Sequence, residues 1–99
     1  MQSWYPASFE REMGCTEADL LRWLPVAVAP HAMELRSREA AVAIGVGRLT
    51  LLWHDLPMRQ IALLRMPRLA VSFEFEGVDE AARQGFMRHF DLATQRGGG

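Results

Sequence analysis

The sequence contains no lysine and no asparagine, and all eleven of its basic residues are arginines. Guanidinium forks suit carboxylates and phosphates. A GC-rich bacterial coding sequence depletes lysine and asparagine together, however, so the skew reads as codon usage rather than as a binding signature. There is a single cysteine, Cys15, so no disulfide can form within the chain and a reducing cytoplasm is the expected setting. No basic stretch followed by an apolar run opens the sequence, and a signal peptide is not expected. No apolar segment approaches the roughly 18 residues that would span a bilayer. The formal net charge is only −1, which removes any global field that would draw the chain to nucleic acid or to an anionic membrane.

What is present is ordinary in amount and informative in pattern. The 99 residues are 49% hydrophobic and 23% charged, the balance of one folded domain rather than of a disordered chain. The organising stretch is 48–76, which predicts three strands at 48–55, 59–65 and 68–76. In the last of them Leu69, Val71, Phe73 and Phe75 alternate with Ala70, Ser72, Glu74 and Glu76. A period of two sends one set to a core and the other towards water. Leu49, Leu51 and Trp53 face the same core from the first strand. The middle strand is apolar on both sides, with Ile61 and Leu63 on one and Ala62 and Leu64 on the other. It is therefore expected at the centre of the sheet, covered on both faces. Turns are expected at 55–58 and 65–68, each containing a proline, Pro57 and Pro67.

Upstream, 7–13 reads as an edge strand whose Glu10 and Glu12 discourage stray pairing; a helical turn between Ser8 and Gly14 is the alternative. Thr16 and Asp19 are spaced as a capping box for a helix of about eight residues that buries Leu20, Leu21 and Leu24. Pro25 should stop that helix near Leu24, leaving 25–32 as a connector. Strands are expected at 33–36 and 40–46, with Val42, Ile44 and Val46 inward. Gly45 and Gly47 predict a bulge or tight bend. Asp79 caps a C-terminal helix over 80–94, whose apolar face is Val78, Ala82, Phe86, Phe90 and Ala93.

The expected architecture is α+β in β-α-β4-α order. An antiparallel meander of four to five strands carries a short N-terminal and a long C-terminal helix on one face, as one domain over 1–96 with 97–99 a flexible glycine tail. The order resembles helix-grip and TATA-binding-protein-like folds, which host unrelated functions, so the resemblance assigns none. On the sheet face away from the helices, Leu52, Ala62, Leu64 and Ala70 form a candidate interface, and homodimerisation would cover it. Trp53, Phe86 and Phe90 outline a candidate small-molecule pocket between the C-terminal helix and the sheet.

Chemistry is sparse. Cys15 precedes a helix start, where a thiolate would be favoured, but its position also fits an apolar staple against Leu20. His31, His54 and His89 lack the spacing of a metal site. Arg48, Arg59, Arg65 and Arg68 are not interleaved with outward aromatics, as a nucleic-acid surface would require. Gly45-Val46-Gly47 lacks the lysine of a phosphate loop. No catalytic residue, metal ligand or cofactor site is identified. The terminal Gly97-Gly98-Gly99 resembles the tail of ubiquitin-like sulfur carriers, and that resemblance would give Gly98 and Gly99 a role in carrying an activated carboxylate. In those carriers a strand, rather than a helix, leads into the tail. The sequence thus predicts a cytoplasmic binding protein without catalytic activity of its own, pairing with itself or with an unknown protein or small molecule, and engaging neither nucleic acid nor membrane.

Overall fold

A computed structural model describes residues 3–98. Its elements are β1 (Ser8–Met13), α1 (Glu17–Ala27), β2 (Met33–Arg36), β3 (Glu39–Ile44), β4 (Gly47–Ile61), β5 (Leu64–Glu76) and α2 (Glu80–Gly98). The sheet order is β1-β5-β4-β3-β2 and every neighbouring pair is antiparallel. Strands β2 to β5 form the expected meander, and β1 adds itself to the far side of β5 as an edge strand.

Alternation decides which face is covered. Leu49, Leu51, Trp53, Leu69, Val71, Phe73 and Phe75 are buried together with Leu20 and Leu24 of α1 and Phe86, Met87 and Phe90 of α2. Phe73 stacks on Phe9 at 4.7 Å and meets Phe90 edge-on at 5.4 Å, while Phe75 meets Phe86 edge-on at 6.1 Å. The phenylalanines of β5 thus lie beneath the C-terminal helix, where the period of two puts them.

The capping box of α1 forms as its spacing predicts. The Asp19 amide donates to Thr16 Oγ1 at 3.1 Å, and the Thr16 amide donates to Asp19 Oδ2 at 3.2 Å. The helix then runs on through Pro25 to Ala27 instead of stopping at Leu24. A proline this near the C-terminus removes one intrahelical bond, and the exposed ring meets solvent, so the burial of Ala27 and Val28 outweighs the loss. Asp79 Oδ1 accepts from the Ala82 amide at 2.8 Å and starts α2 as expected. The buried stripe of α2 is rotated from the predicted one: Ala82 is exposed, whereas Gln84, Met87, Asp91 and Thr94 are buried beside Phe86 and Phe90.

The largest departure concerns 55–68. Strand β4 does not turn at 55–58; it continues for 15 residues to Ile61, and its register with β5 shifts between Leu56 and Arg59. Pro57 therefore sits in a bulge, and its carbonyl accepts from Arg68 Nε at 2.8 Å. The reversal comes at Ala62-Leu63, between the paired residues Ile61 and Leu64. Both prolines are tolerated because β3 pairs with β4 only as far as Leu52 and β1 with β5 only as far as Leu69. On an unpaired edge a missing N–H costs no ladder bond. The residues expected at a doubly covered sheet centre are instead solvent-exposed, Ile61 by 53% and Leu63 by 98%.

Val46 is likewise outside the core, in a two-residue hairpin turn with Gly45 at φ +60°. A glycine at positive φ in the first central position suits a primed turn, whose twist matches the flanking strands. Gly47 is required for another reason: a Cβ there would lie 2.3 Å from the Gly77 carbonyl oxygen.

Candidate functional site

Residues 56–68 form a two-stranded ribbon that projects from the five-stranded sheet. It gives the molecule its 47 Å long axis, against 29 and 21 Å across. Neither helix covers it. Met58, Ile61, Leu63, Leu64 and Met66 are all substantially exposed along it. Such a run is unusual on a small monomer, since contiguous apolar surface on a projecting element marks a place of contact. Both edges are blunted by proline, Pro57 on β4 and Pro67 on β5, so the faces of the arm are more available to a partner than its backbone.

The candidate interface residues are distributed over this arm and the sheet behind it. By register Leu52, Leu64 and Ala70 lie on the sheet side away from the helices, whereas Ala62 occupies the turn at the arm's tip with φ +55°. Leu52 and Leu64 are exposed; Ala70 is nearly buried, between His54 on β4 and Glu12 on β1. Met66 joins the patch on the side of Leu64, because 59–65 is part of an arm.

The same outer face is charged unevenly. No acidic residue occurs between Asp55 and Glu74, and the arm carries Arg59 and Arg68 on this face, with Arg65 on the opposite one across from Gln60. Glu12 accepts from Arg68 at 3.0 Å and lies 3.5 Å from Arg59. At the other end of the sheet an open groove of about 340 Å³ is lined by Glu34, Arg36, Glu39, Ala41, Arg48 and Thr50. Glu74 and Glu76 of β5 pair with Thr50 and Arg48 beside it.

Trp53, Phe86 and Phe90, the residues of the expected pocket, are all buried in the core. Trp53 pairs with Val71 and donates its indole N–H to Glu17 Oε2 of α1 at 2.7 Å. Phe86 lies against Phe75, four residues further along β5 and so about 13 Å away along the strand. The tryptophan serves the α1 end of the core and the phenylalanines the α2 end.

A buried polar cluster joins the N-terminal segment and β1 to α2. Arg11 of β1 reaches Asp91 of α2 through two bonds, at 2.6 and 3.3 Å, and Tyr5 Oη donates to the same carboxylate at 2.5 Å. The Tyr5 amide donates to Gln84 Oε1, and the Tyr5 carbonyl accepts from Gln84 Nε2 and Arg83 Nε. The Arg11 guanidinium lies 5.2 Å from the Phe73 ring centroid and 5.5 Å from that of Phe9. Burial first, and then the Asp91 carboxylate, raise the Tyr5 phenol above its usual range. No buried side-chain nitrogen or oxygen among the described residues lacks a hydrogen-bond partner, and the cluster clamps the N-terminal segment to α2. Asp91 at a buried position of the 84-87-91-94 spacing is the one sign of it in the sequence.

The remaining candidates have structural roles. Cys15 is buried in the same cluster as Leu20, and desolvation, with the Asp19 charge, pushes its thiol up to about 11. That is opposite to an activated thiolate. His89 Nε2 is 3.0 Å from the Val26 carbonyl oxygen near the end of α1, and His31 packs on Phe86. Among the described residues no three histidine, cysteine or acidic side chains are grouped to hold a metal ion. No helix among them is long and apolar enough to cross a membrane. Of the tail glycines, Gly97 and Gly98 continue α2, while Gly99 lies outside the described residues. Comparisons with protein-family models, with curated proteins and with solved structures give no match.

Proposed function

We propose that this chain is a binding protein without chemistry of its own, acting through the projecting arm and the outer sheet face, with a second copy of itself as partner. The single observation that carries the reading is the arm. Ile61, Leu64 and Met66 remain 53, 66 and 44% exposed on one side of a ribbon that no helix covers. Fully burying such a side chain is worth about 1.5–3 kcal/mol, so leaving three exposed forgoes a stabilisation that a contact would recover. A self-complementary patch is the commonest basis of a two-fold dimer. The inferred setting is a bacterial cytoplasm, supported by the lone, buried Cys15 and the lysine-free composition.

Sedimentation equilibrium tests the reading directly. Wild-type chain should show a concentration-dependent dimer, and Leu64→Arg or Ile61→Arg should shift it to monomer while leaving the circular dichroism spectrum and melting temperature intact. A wild-type chain that stays monomeric into the millimolar range would overturn it.

A further inference from the structure

On the outer side β4 and β5 pair in seven successive rows, from Arg48/Glu76 beside Gly47 to Ile61/Leu64 at the arm's tip, with His54/Ala70 in the middle. The rows at the tip end are apolar and basic; those at the Gly47 end are polar and carry Glu74 and the Arg48–Glu76 ion pair. Within one molecule these ends cannot meet. The row of Arg59 and the row of Glu74 are nine β4 residues apart, a distance of about 30 Å in a strand.

We infer that two copies pack outer face to outer face with their strands antiparallel, about a two-fold axis crossing the His54/Ala70 row. The arm of each then lies over the Gly47 end of the other. This rests on the self-association reading above and adds the occupant's orientation and the charges that select it. Rotation about such an axis exchanges rows equidistant from the middle. Arg59 and Met66 of one copy come over Thr50 and Glu74 of the other, and Leu56 comes over Leu52. The axis row holds the small Ala70 on β5 between His54 on β4 and Glu12 on β1, so it is along β5 that the two sheets can approach to the roughly 10 Å of face-to-face packing.

Two observations favour this arrangement over contact between the arms alone. Stacking arm on arm through the outer face would place Arg59 against its own copy, and like charges brought together across an interface cost several kcal/mol. The antiparallel overlay brings Arg59 beside Glu74 instead, and the Glu12 carboxylates that meet near the axis are each already paired with Arg68 and Arg59 of their own chain. Pairing the arms edge to edge would require backbone donors along strands interrupted by Pro57 and Pro67, where they are missing. The overlay also brings the tip residues Ile61 and Leu64 above the Arg48/Glu76 row, beside the groove lined by Glu34, Arg36, Glu39, Ala41, Arg48 and Thr50.

Charge reversal tests the orientation. Arg59→Glu and Glu74→Arg should each weaken the dimer by about tenfold or more, and the two together in one chain should restore it towards wild type, because both ends of the contact are then reversed. Circular dichroism and melting temperature verify that each variant is folded. If Leu64→Arg abolishes the dimer while neither charge reversal changes it, or the double variant is no better than the worse single one, the orientation is overturned and self-association stands. If the wild type is monomeric but co-sediments with vesicles of phosphatidylcholine and phosphatidylserine, the arm faces lipid and both inferences fall. A monomer that ignores vesicles removes both as well.

Discussion

Arg11 and Asp91 come from elements 80 positions apart in sequence and form a largely buried ion pair. Removing one member of such a pair leaves the other charge uncompensated and costs about 3–5 kcal/mol. Asp91→Ala also strips the acceptor from Tyr5 Oη. Urea denaturation should show a loss of that size; a loss below about 1 kcal/mol would mean that the N-terminal segment is not held to α2 through this carboxylate. Gly47→Ala is a second test at this scale. Its new Cβ would strike backbone carbonyls rather than a yielding side chain, so the expected result is a lower denaturation midpoint by several kcal/mol equivalent. Alkaline pH should act in the same direction through Cys15 and Tyr5. Both groups hold their proton more tightly when folded than when unfolded, so the unfolded chain loses protons first and stability falls as pH rises. For Cys15 the window runs from an ordinary value near 9 to about 11. Thermal melts between those limits, compared with Cys15→Ala, should show a shallower decline in the variant.

At the scale of elements, the arm is the part whose shape depends least on the core. Its turn places Ala62 at φ +55°, a region where a Cβ costs roughly 1–2 kcal/mol and glycine is free of the penalty. Ala62→Gly should therefore hold or raise the melting temperature, even though glycine weakens most strand positions; a clear drop would show that the turn is built otherwise. The arm's edges explain why 55–68 reads in the sequence as a strand between two turns. Pro57 and Pro67 are usual turn residues, and only the absence of a neighbouring strand at those positions makes them edge residues. Sequence pattern cannot report that absence, because it depends on where β1 and β3 stop. Pro25 reads as a helix stop for a related reason: its tolerance inside α1 comes from the burial of Ala27 and Val28 just beyond it.

At the scale of the whole molecule, an elongated body with its apolar and basic end opposite the end that carries Glu74 should associate in a salt-dependent way. Charge contacts on exposed faces are screened over about 8–10 Å at ordinary ionic strength. Raising salt should weaken the dimer of wild type more than that of Arg59→Glu, which has already lost its favourable contact. Equal salt responses in sedimentation would argue for apolar contact alone.

The patterns that are strictly local survived folding intact. The alternation of 68–76, the Thr16–Asp19 cap and the Asp79 cap each depend on residues within a few positions of one another, and each forms as the sequence predicts. Those patterns determined the α+β class, the meander and the inward phenylalanines. Tertiary structure alone decided that Ile61 and Leu63 stand in solvent, that Trp53 and Phe86 serve different ends of the core, and that Arg11 and Asp91 meet. Burial is a property of what lies opposite a residue, and for these positions the opposing surface is either remote in sequence or missing altogether.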